Sequence, residues 1–131
     1  MKIYLAGPLF NAGERGVLSE IAARLRALDF EVFVPHEQFV EQEGVDPKAV
    51  FTTDLAGVRA ANAVLAWIDG TQVDDGTATE IGIFTQLCAT DPSRLKGIID
   101  LCTDLRMVRR RGVAPADGIN LFVSGAIHSV G

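Results

Sequence analysis

Apolar positions along this chain follow two alternating rhythms. Lys2–Ala6 (KIYLA) is a short apolar run closed by Gly7-Pro8, which predicts a strand. Glu14–Leu28 then carries Val17, Leu18, Ile21, Ala22, Leu25 and Leu28 at helical spacing, the pattern of an amphipathic helix. Glu31–Val34 predicts a second strand, stopped by Pro35. Asp46-Pro47 suits a helix start, with the helix running to about Ala61. Ala63–Ile68 (AVLAWI) is wholly apolar and predicts a strand buried on both faces. Asp69–Gly76 follows as a polar turn, Thr77–Ala89 as a helix, Leu95–Cys102 as a fourth strand and Asn120–Val130 as the beginning of a last helix.

Continuously apolar strands alternating with helices predict an α/β fold. We expect a doubly wound, mainly parallel sheet of four to five strands flanked by helices, flavodoxin-like or Rossmann-like, in one domain over residues 1–131. Crossovers in such a sheet are right-handed. Ligands bind at the carboxyl ends of its strands, which singles out Gly7–Asn11, Pro35–Phe39 and Asp69–Glu80.

Composition narrows the function. With 48% hydrophobic and 22% charged residues, the 131-residue chain can build a packed core. A net charge of −5 argues against a nucleic acid polymer as partner, because phosphate neutralisation needs clustered Lys and Arg. The one basic run, Arg109–Arg111, reads as a solvated loop. Cys88 and Cys102 each sit in an apolar stretch and read as reduced, buried thiols, not a disulfide. No apolar run approaches the roughly 20 residues that span a bilayer. The apolar start of Met1–Phe10 is broken by Gly7-Pro8 and reads as a core strand, not a leader. A cytoplasmic protein without membrane partner is expected.

The densest polar cluster, Asp69, Asp74, Asp75 and Glu80, follows the most apolar strand. Asp69 and Asp75 read as solvated loop residues. Glu80 differs, because Ile81, Phe84 and Cys88 place it on the sheet-facing side of its helix, about one turn in. The helix N-terminus there favours an ionised carboxylate. Gly76 lets a ligand approach the backbone, and Gly82 lets the helix pack tightly. An ionised, partly buried carboxylate in a cleft suits a nucleophile at an acetal-like carbon. Retaining glycosyl chemistry needs a second acid for the leaving-group proton. Asp54 is the candidate, on a helix whose Leu55, Val58 and Ala61 share one face.

Four blocks then carry a resemblance. YLAGPLFN at Tyr4–Asn11, TDLAGVRAANAVLAWIDG at Thr53–Gly70, DDGTATEIG at Asp74–Gly82 and INLF at Ile119–Phe122 are similar to the signature blocks of the nucleoside 2-deoxyribosyltransferases, in the same order. The resemblance implies a base exchange on 2-deoxyribose through a covalent intermediate, with no cofactor and no metal. It also implies a homo-oligomer with shared active sites. Its small-molecule partners would be a deoxynucleoside and a free nucleobase. By the same resemblance Glu80 is the nucleophile, Asp54 the acid/base facing the nucleobase, and Tyr4 the hydrogen-bond donor that holds Glu80. Asp74, Gly76 and Gly7 would line the sugar and base pocket. Gln38 would read a base edge. Asn120 would reach the 5′-hydroxyl of a substrate in a neighbouring subunit. Taken without the resemblance, Tyr4 reads as a core aromatic and Asn120 as a helix cap.

The nearest rival on the same fold is an N-glycosidase that hydrolyses deoxynucleoside 5′-monophosphates, which resembles this chain but carries Ser in place of Asp74. A carboxylate there opposes a dianion, because two unit charges ~4 Å apart cost about 4 kcal/mol at an effective dielectric of 20. A phosphoribohydrolase with a PGGxGTxxE loop matches Gly76–Glu80 (GTATE) but not Asp74-Asp75. A receiver domain needs an acidic pair after the first strand to hold Mg²⁺, where this chain has Gly7-Pro8-Leu9-Phe10. A non-catalytic nucleotide-binding module remains an alternative, although no G-x-G-x-x-G or Walker loop supports it.

Overall fold

The computed structural model describes residues 1–39, 44–104 and 118–131. The basic run Arg109–Arg111 lies outside the described residues. The chain runs β1 (Lys2–Ala6), α1 (Ala12–Arg26), β2 (Glu31–Phe33), a 3₁₀ turn (Pro35–Gln38), α2 (Pro47–Ala60), β3 (Ala63–Trp67), α3 (Asp75–Thr90), β4 (Ile98–Leu101) and α4 (Leu121–His128). The four strands form one parallel sheet in the order β2-β1-β3-β4. The sheet order turns back between β1 and β3, the kind of switch point beside which such folds bind ligands.

Local chemistry sets the helix starts. Asn11 and Glu14 form a capping box at α1, each satisfying a backbone N–H of the other. Asp46 caps α2, whose first residue is Pro47. The Asp74 carboxylate accepts from Thr77 N and starts α3 at Asp75, inside what the sequence alone reads as a turn.

The two faces of the sheet are covered unequally. On one face Tyr4, Ala6, Val64, Ala66 and Ile98 pack with Val58 of α2, Ile81 and Phe84 of α3 and Ile127 of α4. On the other, Leu5, Val32 and Val34 pack with Leu18 and Ala22 of α1, the one described helix of that cluster. Leu65 and Trp67 of β3 point to that second face and are only half-buried. The expectation that Ala63–Ile68 is buried on both faces therefore holds for one.

Several other expectations change. β4 is shorter than Leu95–Cys102, because Gly97 has φ +100 and backs onto the Val130 carbonyl, leaving no room for a side chain. Cys102 is exposed just beyond the end of this edge strand, whereas Cys88 is buried as expected. Gly82 faces solvent with nothing near the position of a Cβ, so it does not serve tight packing. Asp69 is more than a solvated loop residue, since its carboxylate accepts from Thr103 N at 2.6 Å, from Asp104 N at 2.9 Å and from the Thr103 hydroxyl. Burial pushes Asp69 up, but these bonds outweigh it and hold the carboxyl below the usual range. It thereby ties the exits of β3 and β4 together. Among the described residues no helix is long and apolar enough to cross a membrane.

Candidate active site

A cleft of about 450 Å³ lies between α2 and α3. Pro47, Val50, Phe51 and Leu55 form its α2 wall, and Gly76, Thr79 and Ile83 its α3 wall. Two carboxylates enter this apolar space, Asp54 from α2 and Glu80 from α3. The spacing of 26 residues between them is thus closed across two neighbouring helices. Lys, Arg and His are absent from the described lining.

Glu80 is held from below. Tyr4, fully buried in the middle of β1, donates its hydroxyl to Glu80 Oε1 at 2.5 Å. Burial, followed by the Glu80 charge, pushes the Tyr4 phenol far above its ordinary range, so it stays protonated and acts only as a donor. Burial also dominates at Glu80. It lifts the carboxyl from 4.5 to about 7, with the Asp54 and Asp74 charges adding to the lift and the Tyr4 hydrogen bond opposing it. The helix N-terminus, expected to keep Glu80 ionised, is outweighed because the carboxylate sits in apolar surroundings. Burial likewise raises Asp54, to about 6. Its Oδ1 is buried without a hydrogen-bond partner among the described residues. A buried acceptor left open on a cleft wall is available to a ligand's N–H or can carry a proton itself.

The arrangement offers one carboxylate anchored by a neutral donor and a second carboxyl free to exchange a proton across an apolar gap. That is the equipment of two-acid glycosyl chemistry. The model of the nucleoside 2-deoxyribosyltransferase family matches residues 3–118, which include every element that builds this cleft. The chain belongs to that family.

Solved structures share the fold. A conserved protein from Enterococcus faecalis V583 superposes with a TM-score of 0.80 at 25% identity, covering 100% of this chain and 88% of its own. The 2-deoxyribosyltransferase of Bacillus psychrosaccharolyticus gives 0.69 at 24% identity, covering 97% and 82%. The 2-desoxiribosyltransferase of Leishmania mexicana gives 0.65 at 21% identity, covering 93% and 84%. The last two likenesses are of fold. Among curated proteins, none matches this sequence.

The remaining residues implied by the family resemblance lie at varied distances from the cleft. Gly76 lines it, and a Cβ there would stand 3.2 Å from Asp74 Oδ2. Asp74 itself caps α3, accepting from Thr77 N and Thr77 Oγ1, and reaches the site through its charge on Glu80. Gly7 is buried, and a Cβ there would meet Leu18 Cδ2 at 2.9 Å, so its smallness serves the contact between β1 and α1. Gln38 is exposed and donates back to Val34 O at 3.1 Å, away from the cleft lining. Asn120 caps α4 by accepting from Phe122 N at 2.8 Å, and lines a separate hollow with Thr71, Asp75 and Ala78. Sequence reasoning did not find Phe33 and Gly57. The Phe33 ring stacks on Tyr4 with centroids 5.2 Å apart, and Gly57 of α2 lies against its edge. The available signal was a lone glycine inside a helical pattern, which generally has a packing reason.

Proposed function

We propose that this chain is a nucleoside 2-deoxyribosyltransferase that cleaves the N-glycosidic bond of a 2′-deoxynucleoside through a covalent deoxyribosyl–Glu80 intermediate and passes the sugar to another nucleobase. One observation carries the reading: a Tyr4-held Glu80 carboxylate and an unpartnered Asp54 carboxyl share one apolar cleft. In the first half-reaction a Glu80 carboxylate oxygen attacks C1′ as the C1′–N bond breaks. The bond's electron pair leaves with the base, and Asp54 delivers a proton to a base nitrogen. In the second half, a nitrogen of the incoming base attacks C1′, its proton goes to Asp54, and the C1′–O pair returns to Glu80. Tyr4 keeps Glu80 oriented in both halves without losing its own proton.

The substrate class follows from charge. Two raised carboxylates, a third acid in Asp74 and a cleft without cations among its described lining suit a neutral nucleoside and oppose a 5′-phosphate dianion. The apolar walls at Val50, Phe51 and Ile83 suit the face of a nucleobase. Such an exchange serves nucleoside salvage in the cytoplasm. We also propose a homo-oligomer with shared sites, in which Asn120 serves a neighbouring subunit's substrate. The exposed Leu121 and Phe122 beside Asn120 support it as apolar interface residues.

The test is to incubate the protein with deoxyinosine, with and without free adenine or cytosine, and to separate the products. A new deoxynucleoside is the expected result. Free hypoxanthine alone would favour a hydrolase, and no change a binding module. With donor alone, acid-quenched protein should carry a deoxyribosyl adduct on the peptide containing Glu80.

A further inference from the structure

We infer that Phe33 and Gly57 are positioning residues for the reacting carboxylates, Phe33 acting on Glu80 through the ring of Tyr4, and Gly57 setting the seat of that ring and the depth of Asp54. The inference rests on the reading of Glu80 as nucleophile. Neither residue is among the described residues that line the cleft, so neither is offered as a catalytic residue.

Tyr4 and Phe33 are paired Cα to Cα across the parallel β1–β2 ladder, so their side chains leave the same face of the sheet side by side. Their rings lie 5.2 Å apart at an interplanar angle of 14°. A phenolic oxygen lies in its ring plane at the far end of the side chain, so the neighbour that fixes the plane also fixes where the O–H points. Here it points at Glu80 Oε1. The backbone anchors Tyr4 at Cα, and Phe33 is the aromatic ring stacked on its plane.

The edge of the Phe33 ring meets α2. A Cβ at Gly57 would come within 2.7–2.9 Å of Phe33 Cε1, Cζ and Cδ1, closer than side-chain carbons pack. The ring therefore fills the space a side chain at position 57 would need. Glycine inside a helix is less favourable than alanine, and this close approach is the compensating reason. Asp54 lies one turn before Gly57 on the same helix, so the approach of α2 to the sheet also sets how deeply Asp54 enters the cleft. A single contact, Gly57 on Phe33, thus bears on both acids from opposite ends.

A double-mutant cycle separates this from ordinary core packing. Base exchange is measured for Tyr4→Phe, Phe33→Leu and the double variant, each well below its own melting temperature. We expect Tyr4→Phe to lower kcat roughly tenfold to a hundredfold, the scale of a hydrogen bond to a charged group. Phe33→Leu should lower kcat several-fold with little change in KM, and should add nothing in the Tyr4→Phe background. Loss of the Tyr4 bond raises Glu80, so the acid limb of the pH profile should move to higher pH in both single variants. Losses that multiply, with an unmoved acid limb in Phe33→Leu, would overturn the inference. If Phe33→Leu does not fold, Gly57→Ala displaces the same ring at its edge and must move the same limb, and an unmoved limb there is equally fatal. Glu80→Ala keeps the two readings apart. Near-normal turnover in that variant removes the nucleophile itself, whereas a dead Glu80→Ala with independent Tyr4 and Phe33 effects removes only this inference.

Discussion

Glu80→Gln should make the protein more stable, and by an amount that depends on pH. The folded carboxyl is raised from 4.5 to about 7, chiefly by burial. A carboxyl raised by folding contributes most stability below its unfolded value, where it is protonated in both states. That contribution is lost as pH rises through the folded value, because the charged form is the one that burial penalises. At about 1.4 kcal/mol per factor of ten in proton affinity, the full displacement corresponds to roughly 3 kcal/mol above pH 7. Water in the open cleft screens part of this, leaving ~2 kcal/mol. Glutamine keeps a carbonyl that can accept from Tyr4, fills the same volume and carries no charge. For a domain of this size each kcal/mol moves the midpoint by about 3 to 4 °C, so Glu80→Gln should melt roughly 6 to 8 °C above the wild type at pH 8. At pH 4 the two should coincide. Thermal unfolding followed by circular dichroism between pH 4 and 9 measures the difference directly. A variant no more stable at pH 8, or a gap that does not close at pH 4, would refute the assignment of burial as the dominant effect on Glu80. A confirmed gap identifies Glu80 as a site where stability is given up for reactivity.

Further outcomes follow from the same geometry. With Asp54 at about 6 and Glu80 at about 7, kcat/KM for a deoxynucleoside should be bell-shaped, falling as the pair gains its second proton and as it loses its last. Asp54→Asn should be slower and lose the alkaline limb, leaving a single acid limb set by Glu80 alone and so lying above the wild-type acid limb; an unchanged profile would contradict its role. The wild type should prefer a deoxynucleoside to its 5′-monophosphate by a wide margin in kcat/KM. Asp74→Ser, which can still cap α3, should narrow that margin, and equal use of both substrates by the wild type would instead promote the monophosphate hydrolase. Glu80→Ala and Asn120→Ser should each be nearly inactive alone and recover activity when mixed under subunit exchange. Serine retains the α4 cap, so a failure to recover after proven exchange would argue against shared sites.

Much of this protein is legible in one dimension because the deciding forces are local. The alternation of KIYLA, EVF and AVLAW with helical spacing specifies strand and helix, and Asp46-Pro47 specifies where α2 begins, whereas the caps Asn11 and Asp74 start α1 and α3 earlier than the apolar spacing alone indicates. Glu80 stood out for the same reason, as a charge on the apolar face of a helix, and the family blocks around Tyr4, Asp54 and Asp74 follow from residue identity alone. What the sequence could not settle depends on which surfaces meet. Whether β3 is buried on both faces depends on how much of the sheet α1 covers. Whether Gly7 approaches a ligand or Leu18 depends on where α1 lies, and Gln38 and Asn120 turn to their own backbone because nearby groups satisfy them first. The protonation of Glu80 is decided the same way. A helix N-terminus is visible in the sequence, but the apolar walls that outweigh it come from β1, α2 and α3, brought together only by folding. The contact of Gly57 with Phe33, and of Phe33 with Tyr4, joins residues 24 and 29 positions apart in the chain, and only the parallel pairing of β1 with β2 sets those rings face to face.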